Sequence, residues 1–213
     1  MKQYHPQRDE YGNEVVIRRP SKPTNPCDAH DPEKIASFLP AGPAPASLNG
    51  VAFQSWSDAP LTLAQWKVVS GQVPLDEPTI FLKAGKKAAA GVVIEEPDGR
   101  VWVVSPTNGF GGYLHTFPKG KADPGLPLQA VAIKECFEES GLQVQIVGVI
   151  CDFERSTSIA RYYRARRLGG TPADVGWESQ AVHLVPRSQL IQYLNTVDDR
   201  KIAALIEDPS IRS

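Results

Sequence analysis

The chain lacks a long apolar run, a surplus of charge of either sign, and a cysteine framework. Among its 213 residues no uninterrupted hydrophobic stretch approaches the roughly 20 residues that a membrane-spanning helix needs. The opening Met-Lys-Gln-Tyr-His-Pro has no apolar core of the kind a secretory leader carries, so a cytoplasmic protein without membrane attachment is expected. A formal net charge of −1, from 23 basic and 24 acidic residues, removes the electrostatic basis for bulk nucleic-acid binding. Cys27, Cys136 and Cys151 are odd in number and have no zinc-like spacing, which reads as reduced thiols. No glycine fingerprint of a dinucleotide-binding fold is present. No phosphate loop ending in Gly-Lys-Ser/Thr occurs either: Gly85-Lys86-Lys87 comes nearest, and it lacks the upstream glycine and the hydroxyl residue. No internal repeat is found.

What the chain does have is a crowd of carboxylates. Glu135, Glu138 and Glu139 stand at i, i+3 and i+4, so on a 3.6-residue helix they leave from nearly the same side. Pro127 suits the first helical turn and Gly141 suits the stop, while Ala130, Ile133, Cys136 and Phe137 form an apolar stripe roughly opposite the acids. Three crowded anions cost stability unless a cation relieves them, and hard oxygen ligands suit Mg²⁺ or Mn²⁺. The plainer reading of such a run is a solvated acidic face.

The surrounding residues favour the metal. Gly120 to Leu142, GKADPGLPLQAVAIKECFEESGL, resembles the Nudix box, Gly-x5-Glu-x7-Arg-Glu-U-x-Glu-Glu-x-Gly-U with U a bulky aliphatic residue. Gly120, Glu135, Glu138, Glu139, Gly141 and Leu142 fall at the family's spacings, Cys136 takes the first U position, and Phe117-Pro118-Lys119 precedes the box. The resemblance implies an α+β (mixed α/β) fold, an α/β/α sandwich around a mixed β-sheet, and a metal-dependent pyrophosphohydrolase. It implies Mg²⁺ or Mn²⁺ on Glu135, Glu138, Glu139 and the main-chain carbonyl of Lys119. The base that takes a proton from water is then either Glu135 or Glu178, the latter in a Gly-Trp-Glu-Ser loop. Two positions depart from the pattern: the box glutamate is Leu126 and the box arginine is Lys134. Lysine keeps the charge and loses the planar fork of arginine. Asp123 is a candidate replacement for the missing acid, and the alternative outcome is a weakened, nucleotide-sensing relative.

Texture divides the chain. Eleven of the nineteen prolines lie in residues 1–78, which are expected to be loop-rich and to pack on the main domain or on a partner subunit. Val15-Val16-Ile17, Val51-Ala52-Phe53, Trp56 and Leu63-Ala64-Gln65-Trp66 are too apolar there for a disordered tail. Residues 79–213 form the expected catalytic domain. Lys87 to Ile94, the turn Pro97-Asp98-Gly99 and Val101 to Val104 read as a hairpin. Val144 to Phe153, Ile159 to Arg166 and Ala181 to Val185 read as strands, and Pro186 to Leu194 and Lys201 to Ile206 as helices.

For substrate, the arginines after the box are the natural candidates, because guanidinium groups suit phosphates. Strand alternation divides them: Arg161 and Tyr163 share one face, Tyr162, Arg164 and Arg166 the other. Arg155, Arg161, Tyr163 and Trp177 are the expected substrate contacts, with Tyr113 and Phe110 as further stacking rings. The proline that ADP-ribose pyrophosphatases typically carry beyond the box is absent, its position being Ser158, whereas Tyr162 and Tyr163 lie near the tyrosine of dinucleoside polyphosphate hydrolases. The resemblance thus points to a nucleotide-type substrate, a dinucleoside polyphosphate first and ADP-ribose or a nucleotide sugar next. A homodimer is compatible with it.

Overall fold

The computed structural model describes residues 2–207. In chain order these form β1 (Gln3–Arg8), β2 (Glu14–Ile17), β3 (Ala36–Phe38), β4 (Ser47–Leu48), β5 (Val51–Ala52), α1 (Leu63–Lys67), β6 (Lys87–Glu95), β7 (Val101–Pro106), β8 (Lys119–Lys121), α2 (Leu128–Ser140), β9 (Leu142–Glu154), β10 (Ser158–Gly170), β11 (Ser179–Val185), α3 (Arg187–Tyr193) and α4 (Val197–Glu207). The main sheet runs β3-β11-β7-β6-β10-β9, with β8 added to β6. Only β6 and β10 pair in parallel, so the sheet is mixed.

Period-two alternation splits the core into two layers. Val92, Ile94, Trp102, Val104 and Tyr163 face α2 and the N-terminal segments. Val93, Val101, Val103 and Tyr162 face α3 and α4, where Leu190, Ile202 and Ile206 cover them. The result is the α/β/α sandwich. None of the described helices is long and apolar enough to cross a membrane.

The hairpin read from the sequence is real but short-lived. β6 and β7 pair only at Ile94↔Trp102 and Glu95↔Val101, and then separate. The reason is β8, which inserts beside β6 with Gly91 opposite Lys119 and Val92 N–H donating to Pro118 O at 3.0 Å. This fork opens the space in which the acidic helix presents its side chains.

The proline-rich region is built into the body. β3 extends the sheet by pairing Phe38 with Val182. Phe38, Phe53 and Trp102 rings lie 5.7–6.1 Å apart. Arg167, almost fully buried, stacks over Phe53 at 4.5 Å, donates to Leu48 O and pairs with Glu96 Oε1 at 2.6 Å. The short α1 carries a full capping box, with Thr62 and Gln65 satisfying each other's backbone donors, and it brings Trp66 against Trp56 and Phe137.

Candidate active site

Helix α2 sets the glutamates. Val131 N–H donates to Pro127 O at 3.0 Å to start it, and Gly141 ends it at φ +70°, with its N–H on Phe137 O at 2.7 Å. A side chain at Gly141 would be strained by that left-handed backbone and would also strike Thr171 O. Ala130, Val131, Ile133 and Cys136 bury one side, leaving the acids on the other.

Each glutamate meets a different neighbour. Glu139 Oε2 accepts from the Lys119 backbone N–H at 2.8 Å, which ties the helix to β8. Glu135 lies against Gly120, where a Cβ would come within 2.0 Å of its carboxylate and force that side chain to move. Glu138 turns outward to Lys134 Nζ at 2.8 Å. Lys134 Nζ also lies 3.4 Å from Asp123 Oδ2 and 3.9 Å from Glu135 Oε1. Asp123 thus pairs with the lysine that stands in the box-arginine position, and Leu126 packs on the core.

Burial and mutual repulsion act on these acids. Desolvation, then the charge of Glu139, push Glu135 up to about 8. Desolvation pushes Glu139 up to about 7 against the pull of Lys119. Glu178 is raised by desolvation and by repulsion from Glu138 and Glu10. Its loop is stapled to the helix by Gly176 N–H on Glu138 O at 2.9 Å, which explains how a residue far beyond the box in sequence reaches the glutamates.

A cavity of about 310 Å³ brings together Glu139, Glu178, Arg155, Lys119, Lys121 and Tyr113. Arg155 is held there from behind, donating to Tyr162 Oη at 2.7 Å and Tyr113 Oη at 3.2 Å and pairing with the fully buried Asp199. Its Nε has no partner among the described residues. The Lys119 ammonium lies 4.8 Å from the Tyr113 ring centroid. A second cavity, of about 540 Å³, flanks the helix on its outer side and is lined by Glu135, Glu138, Trp177, Glu178 and Glu10. Glu178 faces both.

Not every residue expected at the substrate is there. Arg161 and Tyr163 point to the opposite face of the sheet from Ala160, which lines the Arg155 cavity. Their polar atoms are already engaged: Arg161 forks onto Asp152 at 2.7 Å and reaches Glu77 at 3.1 Å, and Tyr163 Oη donates to Glu77 Oε2 at 2.6 Å. They brace residues 77–78 against the sheet. Trp177 lines the outer cavity and not the one that holds Arg155. Tyr113 does line the Arg155 cavity, while the side chain of Phe110 lies outside the described residues.

The NUDIX domain pattern matches residues 85–206, more than half of the chain. The chain belongs to the Nudix family. As a Nudix hydrolase it is a pyrophosphatase-type enzyme acting on a nucleotide-type small molecule, in a family that generally uses divalent metals. The Nudix chain is 25% identical over 173 residues to a Mycobacterium tuberculosis protein bearing the name mutator protein MutT4, covering 75% of this chain and 70% of that one. Among solved structures, an ADP-ribose pyrophosphatase from Streptococcus suis is similar at 22% identity, covering 57% of this chain and 90% of the other with a TM-score of 0.46. A C. elegans Ap4A hydrolase is similar at 18% identity, covering 57% and 95%, with a TM-score of 0.46.

The donor set of this Nudix chain fits a hard divalent cation, since Glu135 is raised by desolvation and the charge of Glu139, and Glu139 by desolvation and the charges of Glu178 and Glu138, the condition a cation relieves. The expected triple cluster is not assembled: among the described residues no three His, Cys, Asp or Glu side chains converge on one point. Glu138 Oε2 is already paired with Lys134 Nζ at 2.8 Å. Sequence reasoning did not find Lys121, Asn108 or Ser156 on the wall of the Arg155 cavity. None of them carries a local signal, since β8 is three residues long and the others sit in turns.

Proposed function

We propose that this Nudix hydrolase is a metal-dependent pyrophosphohydrolase that cleaves a phosphoanhydride in a nucleoside diphosphate linked to another group, a dinucleoside polyphosphate in the first place and ADP-ribose or a nucleotide sugar in the second. The observation that carries this reading is the shared cavity of Glu139, Glu178 and Arg155. A Mg²⁺ or Mn²⁺ ion held by Glu135, Glu139 and the Lys119 carbonyl, with Glu138 added on release from Lys134, would neutralise phosphate oxygens and acidify a bound water.

The chain's own groups do the rest. Arg155, Lys119 and Lys121 place positive charge along the same wall, where phosphate oxygens accept charge-assisted hydrogen bonds. Asp199 and Tyr162 hold the Arg155 fork in place and leave its Nε unpartnered. Glu178 is the favoured base, because it shares the cavity with Glu139 whereas Glu135 borders the outer one. A raised carboxyl holds a proton more firmly once it has taken one, which suits that role near neutral pH.

One observation favours a second reading, a nucleotide-sensing module with weak turnover: Lys134 already pairs with Glu138 and neutralises charge a metal would meet. Both readings are tested by measuring product release from diadenosine tetraphosphate, ADP-ribose and nucleotide sugars with Mg²⁺ and then Mn²⁺. Metal-dependent turnover that Glu139→Gln abolishes supports the hydrolase and selects its substrate. Binding of these nucleotides with no turnover under either metal establishes the sensor instead.

A further inference from the structure

A third cavity, of about 320 Å³, adjoins the catalytic one and shares Pro106, Asn108 and Tyr113 with it as a common wall. Its outer side is made by the N-terminal arm, through Arg18, Arg19 and Ser21. The arm is fixed there by backbone bonds. Gln180, almost fully buried, spends its whole amide on it, accepting from Ser21 N–H at 2.8 Å and donating to Arg19 O at 3.1 Å and Ser21 Oγ at 2.9 Å. Arg18 N–H reaches Thr107 O at 3.4 Å, and Thr107 N–H in turn donates to Glu178 O at 2.9 Å, so the arm is linked to the loop that carries Glu178.

The backbone is thus held while the two guanidinium groups are left over. Both arginines are exposed, and among the described residues neither side chain has an ion pair or hydrogen bond. No acidic side chain lines the cavity. His115 adds no charge near neutral pH, since burial pushes it down to about 4. Two unneutralised cations at one end, hydroxyl and amide groups along the lining, and a wall shared with the cavity that holds Glu139 make a site for a second anion.

We propose that this cavity is a phosphoryl subsite in which Arg18 and Arg19 take a phosphate of the substrate beyond the pair held over the glutamates. The inference rests on the pyrophosphohydrolase reading and extends it: the N-terminal arm then selects substrates with more than two phosphates in a row. Guanidinium forks are suited to this because they meet phosphate oxygens with paired hydrogen bonds.

The test is calorimetric binding of inorganic tripolyphosphate to the full chain carrying Glu139→Gln, so that no turnover intervenes. Adding Arg18→Ala and Arg19→Ala is expected to weaken binding by about tenfold or more, the loss of one charge-assisted contact. Arg166→Ala, on an exposed arginine that among the described residues bonds Gln145, is the control for losing a surface cation outside the cavity and should leave binding unchanged. Undiminished binding in the double arginine variant overturns the proposal. So does an equal loss from Arg166→Ala, which would reveal bulk electrostatics, or no measurable binding of tripolyphosphate at all. Failure of the hydrolase reading looks different: the unaltered chain would turn over no nucleotide while tripolyphosphate binding still depended on Arg18 and Arg19.

Discussion

Lys134 Nζ stands 3.4 Å from Asp123 Oδ2, an ion pair that braces the lysine of the box-arginine position with an acid three residues upstream of Leu126. The same ammonium bonds Glu138 at 2.8 Å. One cation therefore steadies two acids on the helix flank. Removing Asp123 leaves Lys134 to Glu138 and Glu135 alone and tightens its hold on both, the groups proposed above to receive a metal. Asp123→Ala is expected to weaken Mg²⁺ dependence by about 10–100-fold, the usual effect of losing a group that orients metal ligands. The Mg²⁺ concentration for half-maximal turnover measures this, and an unchanged value would remove Asp123 from the brace.

Glu139→Gln should separate chemistry from folding. The amide oxygen can still accept from Lys119 N–H, and the substitution removes a carboxyl that burial and its neighbours disfavour as an anion. Turnover is expected to fall by about 10²–10⁴-fold, the scale of a positioned carboxylate, while the metal-free melting temperature holds or rises. A folded variant with full activity would contradict the assignment.

Metal and pH should be coupled through the same acids. Burial and neighbouring carboxylates push Glu135 up to about 8 and Glu139 up to about 7, above their ordinary 4.5. The folded state therefore binds more protons than the unfolded one across that window, and their contribution to stability is lost as pH rises from 4.5 through 8. A divalent ion competes with those protons. Melting curves with and without Mg²⁺ should show a larger stabilisation at pH 8.5 than at pH 6, and equal shifts at both would place the ion elsewhere.

Acid lability should come from His183. Its two ring nitrogens lie 2.8 Å from Ser37 Oγ and Ser105 Oγ, and burial holds it down to about 3, with His115 beside it. Below the ordinary value of 6.5 the unfolded chain takes up a proton that the folded chain refuses, so stability falls with pH by up to about 1.4 kcal/mol per unit for this residue. Urea unfolding between pH 7 and pH 4 should show that slope flattened in His183→Gln. An unaltered slope would assign the acid limb to other groups.

Arg155 should matter for stability as well as for substrate. Asp199 is fully buried and pairs with it, so Arg155→Ala strands a charge and is expected to cost about 3–5 kcal/mol. Arg155→Ala combined with Asp199→Ala should recover part of that loss in urea unfolding, because the stranded anion is gone. No recovery would show that the cost lies in lost packing against Tyr162 and Phe153.

What could be read along the chain was what local periodicity encodes. The box helix ends at Gly141, where the left-handed turn permits only glycine without strain, and its glutamates share one side because 3.6 residues make a turn. Strands β9, β10 and β11 and helices α3 and α4 lie where their apolar patterns put them, each within a few residues at its ends. Alternation also separated Arg161 and Tyr163 from Tyr162 correctly, but it carries no sign: nothing in a period of two says which face meets the glutamates. Tertiary structure decided that, by turning Ala160 to the cavity and giving Arg161 to Asp152 and Glu77. It also decided the fork between β6 and β7, the edge strand in a proline-rich stretch, and the meeting of Glu139 with Arg155 and Glu178. Such contacts join residues far apart in the chain, and their free energy comes from burial and complementary charge among packed elements, which no local pattern records.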